Sequence, residues 1–356
     1  MNLLYYNPID LYSQENLERF PQLKSTEPFK RMFNPSISLY DRTGTIKWPV
    51  KIKNLFPMPK DLYTNKTFSE ICNERMQEII AHANSNQSKQ LVVMYSGGID
   101  STLVMVLLMQ LADQALLDRT LVILNEASIA ENPEFYKKYI TKFRMASSNS
   151  FEKYLTKDHI VLTGEFADNV FGSLTLGMAM DRLGDKTIVH APYKDYALEF
   201  FTQKLGSADS ARQYMDLMDP IMQLNPQGIN SLHEYMWWIN FTMKWQAVEF
   251  RILSHARPTE ALDLDWVNTS LIHFWNTELW QQWAVSNPDK KVAKDWASYK
   301  WVAKELIYEF DRNQQYYTRK TKVPSLPDMV RFKYVSNFIT EDLKFHKTLN
   351  LENFIL

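Results

Sequence analysis

The chain has 356 residues, a formal net charge of −1 and 45% hydrophobic residues. That length carries one large or two ordinary domains around a sizeable core, and a near-zero charge gives no global field toward nucleic acid or an anionic membrane. The single cysteine, Cys72, excludes a disulfide framework and a cysteine-rich zinc site.

Residues 1–62 read as an irregular arm, punctuated by Pro8, Pro21, Pro28, Pro35, Pro49, Pro57 and Pro59. Within it, Ser36–Tyr40 and Ile46–Ile52 read as short strands or a hairpin around Asp41–Gly44. The first twenty residues lack a basic region followed by an apolar core, so no signal peptide is expected. Thr67-Phe68-Ser69-Glu70 fits a capping box. It predicts a helix to Ala83 with Ile71, Met76, Ile79 and Ile80 inward.

Leu91–Tyr95 is an unbroken apolar run, as in a strand buried on both faces of a parallel sheet. Ser96-Gly97-Gly98-Ile99-Asp100-Ser101 follows, and then Leu103, Val104, Leu107, Leu108 and Leu111 recur at helical spacing. Strand, glycine turn and helix start make an anion site: the first N–H groups of a helix lack internal partners, and the dipole adds positive charge. Glycines let backbone wrap a phosphate, and Ser96, Ser101 and Thr102 offer hydroxyls. Asp100 suits such a site only with a divalent cation between it and the phosphates. The apolar region Leu91–Ala112 is interrupted by Asp100 and too short to span a membrane. A cytoplasmic protein with no membrane partner is expected.

Thr120–Leu124 reads as a second buried strand. Asn125–Ser128 follows it, either as a plain connection or as a loop touching ligand. Asn132-Pro133-Glu134 starts a helix running to Phe143. His159–Thr163 is a third strand, leading into Gly164–Gly172. Strands alternating with helices predict a parallel sheet with right-handed crossovers. Thr187–Ala191 reads as a short strand or an extended loop, and from Tyr193 the pattern is mostly helical. Trp237, Trp238, Phe241 and Trp245 are expected on one helix, and Trp275, Leu279, Trp280 and Trp283 on another. As stripes at helical spacing they read as core rather than as base-stacking platforms.

The hexapeptide at 96–101 resembles the SGGxDS pyrophosphate loop of the N-type ATP pyrophosphatases. It is not a Walker loop, which needs GxxxxGK[ST]. GEFADNVFG at 164–172 resembles the GEGxDExFGG segment of the asparagine synthetase and β-lactam synthetase family. The paired resemblance covers roughly residues 88–330 and implies an adenine nucleotide α-hydrolase-like α/β fold, a parallel sheet with helices on both faces, and then a mostly helical C-terminal part. The implied organisation is the arm over 1–62, a synthetase-like domain over 63–330 and a tail over 331–356. Within that domain the nucleotide part takes roughly 88–192 and the helical part 193–330.

Carried over residue by residue, the resemblance assigns the pyrophosphate part of ATP to Ser96, Gly97, Gly98, Ser101 and Thr102. It assigns Mg²⁺ to Asp100 and Asp168, the flanks of the adenosine to Met94 and Gly164, and the reacting centre to Glu165. A lysine from the C-terminal part is implied at the departing pyrophosphate. Lys322 is the first choice and Lys320 the second, from a segment resembling RxKxGF; Lys300, in SYKWVAKELI, is the third. Each also reads as a solvated surface lysine. Glu249-Phe250-Arg251 resembles GxExR without its glycine. The chain departs from the family at Phe166, in place of the second glycine of GEG, at Asn169, in place of a glutamate, and at the tyrosine position after the second motif.

Residue 2 is Asn2, and roughly 90 residues precede the loop, so no glutaminase half is expected. The implied activity is an AMP-forming ligase that adenylates a small-molecule or peptide carboxylate on Mg-ATP and passes the acyl group to an amine or ammonia, a separate protein being one source of that donor. Two alternatives stand beside it: a pyrophosphatase of the same loop class acting on a nucleobase or modified nucleotide, and a non-catalytic nucleotide-binding protein of the same fold. The oligomeric state is not legible.

Overall fold

The computed structural model describes residues 2–6, 11–28, 39–172, 174–256, 258–320, 338–341 and 350–356. The chain divides into two compact units, neither continuous in sequence: Met1–Lys60, Gly172–Arg257 and Pro324–Leu356 form one, and Asp61–Phe171 with Pro258–Val323 the other. Seven strands lie among the described residues: β1 (Leu3–Tyr6), β2 (Gln90–Met94), β3 (Thr120–Leu124), β4 (Arg144–Ser147), β5 (His159–Thr163), β6 (Leu271–His273) and β7 (Phe338–Thr340). No helix among those residues is long and apolar enough to cross a membrane.

The unit of Asp61–Phe171 and Pro258–Val323 is α/β. Its sheet is parallel throughout, with strand order β4-β3-β2-β5-β6. Leu91, Val92 and Val93 of β2 are fully buried at its centre, which explains why they show no polar alternation. The chain adds β3 and β4 on one side of β2 and then β5 and β6 on the other. Strand order therefore reverses between β2 and β5, and open α/β sheets bind ligands beyond the strand ends at such a point. The register sets Met94 opposite Thr163, so the turns that follow the two strands emerge side by side.

Helix α1 (Phe68–Ser85) starts with the expected capping box: Thr67 Oγ1 accepts from the Glu70 N–H at 3.3 Å, and Glu70 Oε2 from the Thr67 N–H at 2.7 Å. Ile71, Met76 and Ile79 are buried and Ile80 is half-buried. Helix α2 (Ile99–Leu111) packs against both α1 and the helix Trp301–Asp311. Covered by more than one neighbour, it is apolar nearly all round rather than along one stripe.

Phe171, 0% exposed, meets the rings of Phe68, Trp275 and Trp283 at centroid distances of 5.7, 5.5 and 5.5 Å. Phe171→Ala is expected to destabilise this unit by about 3–5 kcal/mol, the usual cost of emptying an aromatic site in a core. Urea unfolding followed by tryptophan fluorescence measures it.

In the other unit, β1 pairs antiparallel with β7. Leu3, Tyr6, Leu11, Tyr12, Leu23, Val50 and Phe354 form a common core, so N-terminal and C-terminal residues bury one another. The helices Tyr193–Leu205, Ala208–Met222, Leu232–Met243 and Trp245–Ser254 belong to the same unit. Buried Arg42 lies over the rings of Phe241 and Trp245, 4.5 and 4.4 Å from their centroids.

Several local expectations are corrected. The hairpin around Asp41–Gly44 is absent from its described part: Val50 and Ile52 make only isolated bridges, to Ile355 and Leu3, while Ser36–Ser38 lie outside the described residues. The helix after Asn132 ends at Lys138, and a 3-10 turn over Ile140–Lys142 follows. Thr187–Ala191 holds a 3-10 turn at Ile188–His190 rather than a strand. Asn125–Ser128 is a helix start, since the Asn125 side chain caps α3 (Glu126–Glu131) through the Ser128 N–H at 2.9 Å. Trp245 opens the helix after that of Trp237, and Trp275 precedes Glu278–Ser286. The tryptophans at 237, 238, 245, 275, 280 and 283 are buried, as a core reading requires.

Candidate functional site

At the carboxyl ends of β2 and β5, the first wall is the turn over Ser96–Thr102. Gly97 has φ +75, and a Cβ there would stand 2.2 Å from the Ser128 carbonyl oxygen. Left-handed backbone and the close approach of α3 both demand glycine. Gly98 caps α2 and donates its N–H to Ser96 Oγ at 3.3 Å. The Ser101 hydroxyl lies 3.0 Å from that of Ser96 and accepts from the Ser96 N–H at 3.1 Å. Thr102 Oγ1 donates to the Gly97 carbonyl at 3.4 Å. Ser101 and Thr102 are buried, so their hydroxyls shape the turn, whereas Ser96 is exposed at its rim.

Gly97→Ala is expected to cost more than the roughly 1–3 kcal/mol of a strained backbone conformation, because the carbonyl contact at 2.2 Å adds to it. Gly98→Ala, whose Cβ would meet Ser96 Oγ at 3.2 Å, should cost less. Urea midpoints of the two variants make the comparison.

The second wall is the turn after β5. A Cβ on Gly164 would stand 2.9 Å from the Ser101 backbone nitrogen and 3.0 Å from the Asp100 carbonyl carbon. The bare glycine therefore lets this strand end lie against the start of α2. Phe166 takes a left-handed backbone at φ +73, a conformation that costs a side-chain-bearing residue roughly 1–2 kcal/mol. Its ring is 2% exposed and packs on His273, with centroids 5.1 Å apart. Thr163 Oγ1 accepts from the Glu165 N–H at 3.1 Å and bonds His273 Nδ1 at 2.6 Å. That pair ties the turn to β6. The helix α4 (Ala167–Phe171) then begins, with the Asn169 N–H donating to the Phe166 carbonyl at 2.8 Å.

Asp100, from the first turn of α2, and Asp168, from the first turn of α4, converge. Lys300 Nζ donates to Asp100 Oδ1 at 2.6 Å, to Asp100 Oδ2 at 2.7 Å and to Asp168 Oδ1 at 2.9 Å. The Tyr299 hydroxyl donates to Asp168 Oδ1 at 3.1 Å. Lys300 is the residue before helix α5 (Trp301–Asp311), held left-handed at φ 59, with its N–H donating to the Lys291 carbonyl at 2.9 Å. Burial pushes its ammonium toward neutrality, but the charges of Asp100 and Asp168 outweigh burial and hold the group above the ordinary lysine value. Burial drives the Tyr299 phenol well above its ordinary value, and Asp168 and Asp100 add to that; it is a donor here.

Beside the glycines lies a second ion pair. Lys320 Nζ donates to Glu131 Oε1 at 2.7 Å, and that oxygen would stand 3.4 Å from a Cβ on Gly98. Lys304 donates to the Ala297 carbonyl at 2.7 Å. Burial, with Lys320 and Lys300 adding, lowers its ammonium to about 8.

The expected residues thus gather unevenly. Ser96, Gly97, Gly98, Asp100, Ser101, Thr102, Gly164 and Asp168 meet at one crevice, with Met94 half-buried at the end of β2 and Glu165 half-buried in the second turn. Lys300, the last choice among the lysines, is not a solvated surface group: its side chain is 2% exposed, against 24% and 33% for Asp100 and Asp168. Lys320 reaches the glycine turn through Glu131, and Lys322 lies outside the described residues. Glu249 and Arg251 are on the helix Trp245–Ser254 of the other unit. Sequence reasoning missed Tyr299 and Glu131. Tyr299 precedes Lys300 directly, but no spacing rule marks a tyrosine.

Among the described residues no group of three or more His, Cys, Asp or Glu could hold a metal by itself. The donor set fits magnesium in a different way: that ion binds through one or two carboxylates with phosphate oxygens and water filling the remainder. Two carboxylates sharing one ammonium are close enough to share one cation. No model of a known protein family matches this chain, and no curated protein matches it.

Proposed function

We propose that the chain is an ATP-dependent, AMP-forming ligase of the asparagine synthetase-like kind, acting at the crevice between β2 and β5. The observation that supports it most is the convergence of Asp100 and Asp168 at the mouth of a glycine-lined helix start, with a buried lysine between them. Two acids at an anion cradle would repel a polyphosphate on their own, and a shared cation removes that conflict.

In this reading the β- and γ-phosphates lie against the N–H groups that open α2, with Ser96 at the rim. Asp100 and Asp168 would hold Mg²⁺, which when bound neutralises phosphate charge and stabilises pyrophosphate as a leaving group. A carboxylate oxygen of the substrate attacks the α-phosphorus, the bond to the bridging oxygen breaks, and pyrophosphate departs. Lys300 and Lys320 offer positive charge where that anion develops. An amine or ammonia then attacks the acyl-adenylate carbon, Glu165 takes the proton, and AMP leaves with the amide formed. Phe166 and Asn169, two of the departures from the family pattern, are both buried. The cytoplasm, with its Mg-ATP, suits this chemistry.

Incubation with α-labelled ATP, Mg²⁺ and a panel of carboxylic acids and amines is expected to yield AMP and pyrophosphate with at least one pair. Release of ADP and phosphate instead would sink the mechanism. A second reading, a non-catalytic nucleotide-binding protein, draws on the same ion triad, since Lys300 pairs with both acids as a purely structural ion pair would. It predicts ATP binding with no turnover for any acid in the panel.

A further inference from the structure

We infer that the Lys300 ammonium stands in the place of the divalent cation, so that the free site is closed by an internal cation which a metal–nucleotide complex must displace. The inference rests on the reading of the site given above. Its basis is the way Nζ takes the acids. It faces both oxygens of Asp100, at 2.6 and 2.7 Å, and Oδ1 of Asp168, at 2.9 Å. That is the chelating and bridging position a shared ion would use. Asp100 and Asp168 would also hold the metal, and two cations cannot share the place between the same oxygens.

The surroundings suit an exchange. The acids are 24% and 33% exposed at the side chain, so a cation can approach from the crevice, while the lysine is 2% exposed behind them. Tyr299 donates to Asp168 Oδ1 at 3.1 Å independently of Nζ, so this acid keeps a fixed orientation when the ammonium leaves. The Lys300 backbone is pinned by its bond to the Lys291 carbonyl at 2.9 Å, and only the flexible stem needs to swing. A bare metal ion brings no anion to receive the freed ammonium. A metal–nucleotide complex brings the phosphates that receive it. The closed triad therefore makes metal and nucleotide bind as one unit.

Mn²⁺ is the probe, titrated into the full chain and read by electron paramagnetic resonance, with and without a non-hydrolysable ATP analogue. The wild type is expected to bind Mn²⁺ weakly alone and at least tenfold more tightly with the analogue. Lys300→Met should bind Mn²⁺ alone at least tenfold more tightly than the wild type, and Lys300→Met/Asp168→Asn should lose that gain. Because Lys300→Met leaves two acids without their cation, its thermal midpoint should also rise more with Mn²⁺ than that of the wild type. Lys300→Gln provides the same comparison should the methionine variant fold poorly. Equal Mn²⁺ affinity of Lys300→Met and wild type without nucleotide, while both bind it with the analogue, overturns the stand-in and leaves the site reading intact. Absence of Mn²⁺ binding with the analogue in every protein overturns both.

Discussion

Asp100→Asn and Asp168→Asn should each lower the formation of AMP and pyrophosphate by about 10³-fold or more. Each change keeps the shape of the side chain and removes one of the two charges that meet at Lys300 Nζ. A metal ion stabilises developing phosphate charge by several kcal/mol, and about 1.4 kcal/mol is a tenfold change in rate. Loss of about 4 kcal/mol at the departing pyrophosphate therefore costs about 10³. A purely structural triad would behave differently. Its Asn variants would show a lower urea midpoint, because each leaves the buried Lys300 ammonium with one charge fewer beside it, with no turnover to lose. Quenched-flow measurement of pyrophosphate release on variants that keep the wild-type circular dichroism separates the cases. Unchanged turnover in either Asn variant would remove the basis of the proposed activity.

The strands at the centre of the sheet were legible because both of their faces are buried. Thr120–Leu124 and His159–Thr163 coincide with β3 and β5 residue for residue, since a short apolar run between turn signals suits a strand buried on both faces. The edges were not legible. β4 reads Arg-Met-Ala-Ser and is largely exposed, so it carries no hydrophobic signal. β6 is three residues long, inside a stretch whose composition reads as helix. Both are strands because a neighbouring strand offers hydrogen bonds, a cause that lies outside their own sequence. The same distinction holds at the site. Gly97 and Gly164 announce themselves because their backbones must pass within contact of other chain, and Gly98 because it caps the helix that follows. Lys300, like Lys320 and Lys322, reads in sequence as a solvated lysine. What makes it different is a left-handed backbone and two acids from remote turns, none of which local periodicity encodes. Phe166 presents the converse. A phenylalanine in this turn narrows the pocket if its ring faces in. The structure keeps glycine's backbone conformation there and turns the ring onto His273.

Lys300→Met is expected to lower turnover by about 10²–10³-fold, with a much smaller effect from Lys320→Met. The magnitude is that of removing one preorganised donor from a site of developing negative charge. The difference between the lysines follows from their partners. Lys300 contacts both acids that would hold the cation, so its displaced ammonium remains at the reacting phosphates. Lys320 is paired with Glu131, 21% exposed at the side chain, next to Gly98. It is partly neutralised where it stands, so its removal should appear chiefly as a higher KM for ATP. Separate determination of kcat and KM distinguishes a group acting in the transition state from one acting in binding. If Lys300→Met raised KM alone while Lys320→Met lowered kcat, the roles given to the two lysines would be reversed. Combined with the Mn²⁺ titration, the expected pattern for Lys300→Met is tighter metal binding together with slower chemistry. A lysine that served only to hold the fold would not produce that combination, because loss of a structural contact weakens metal binding and turnover alike.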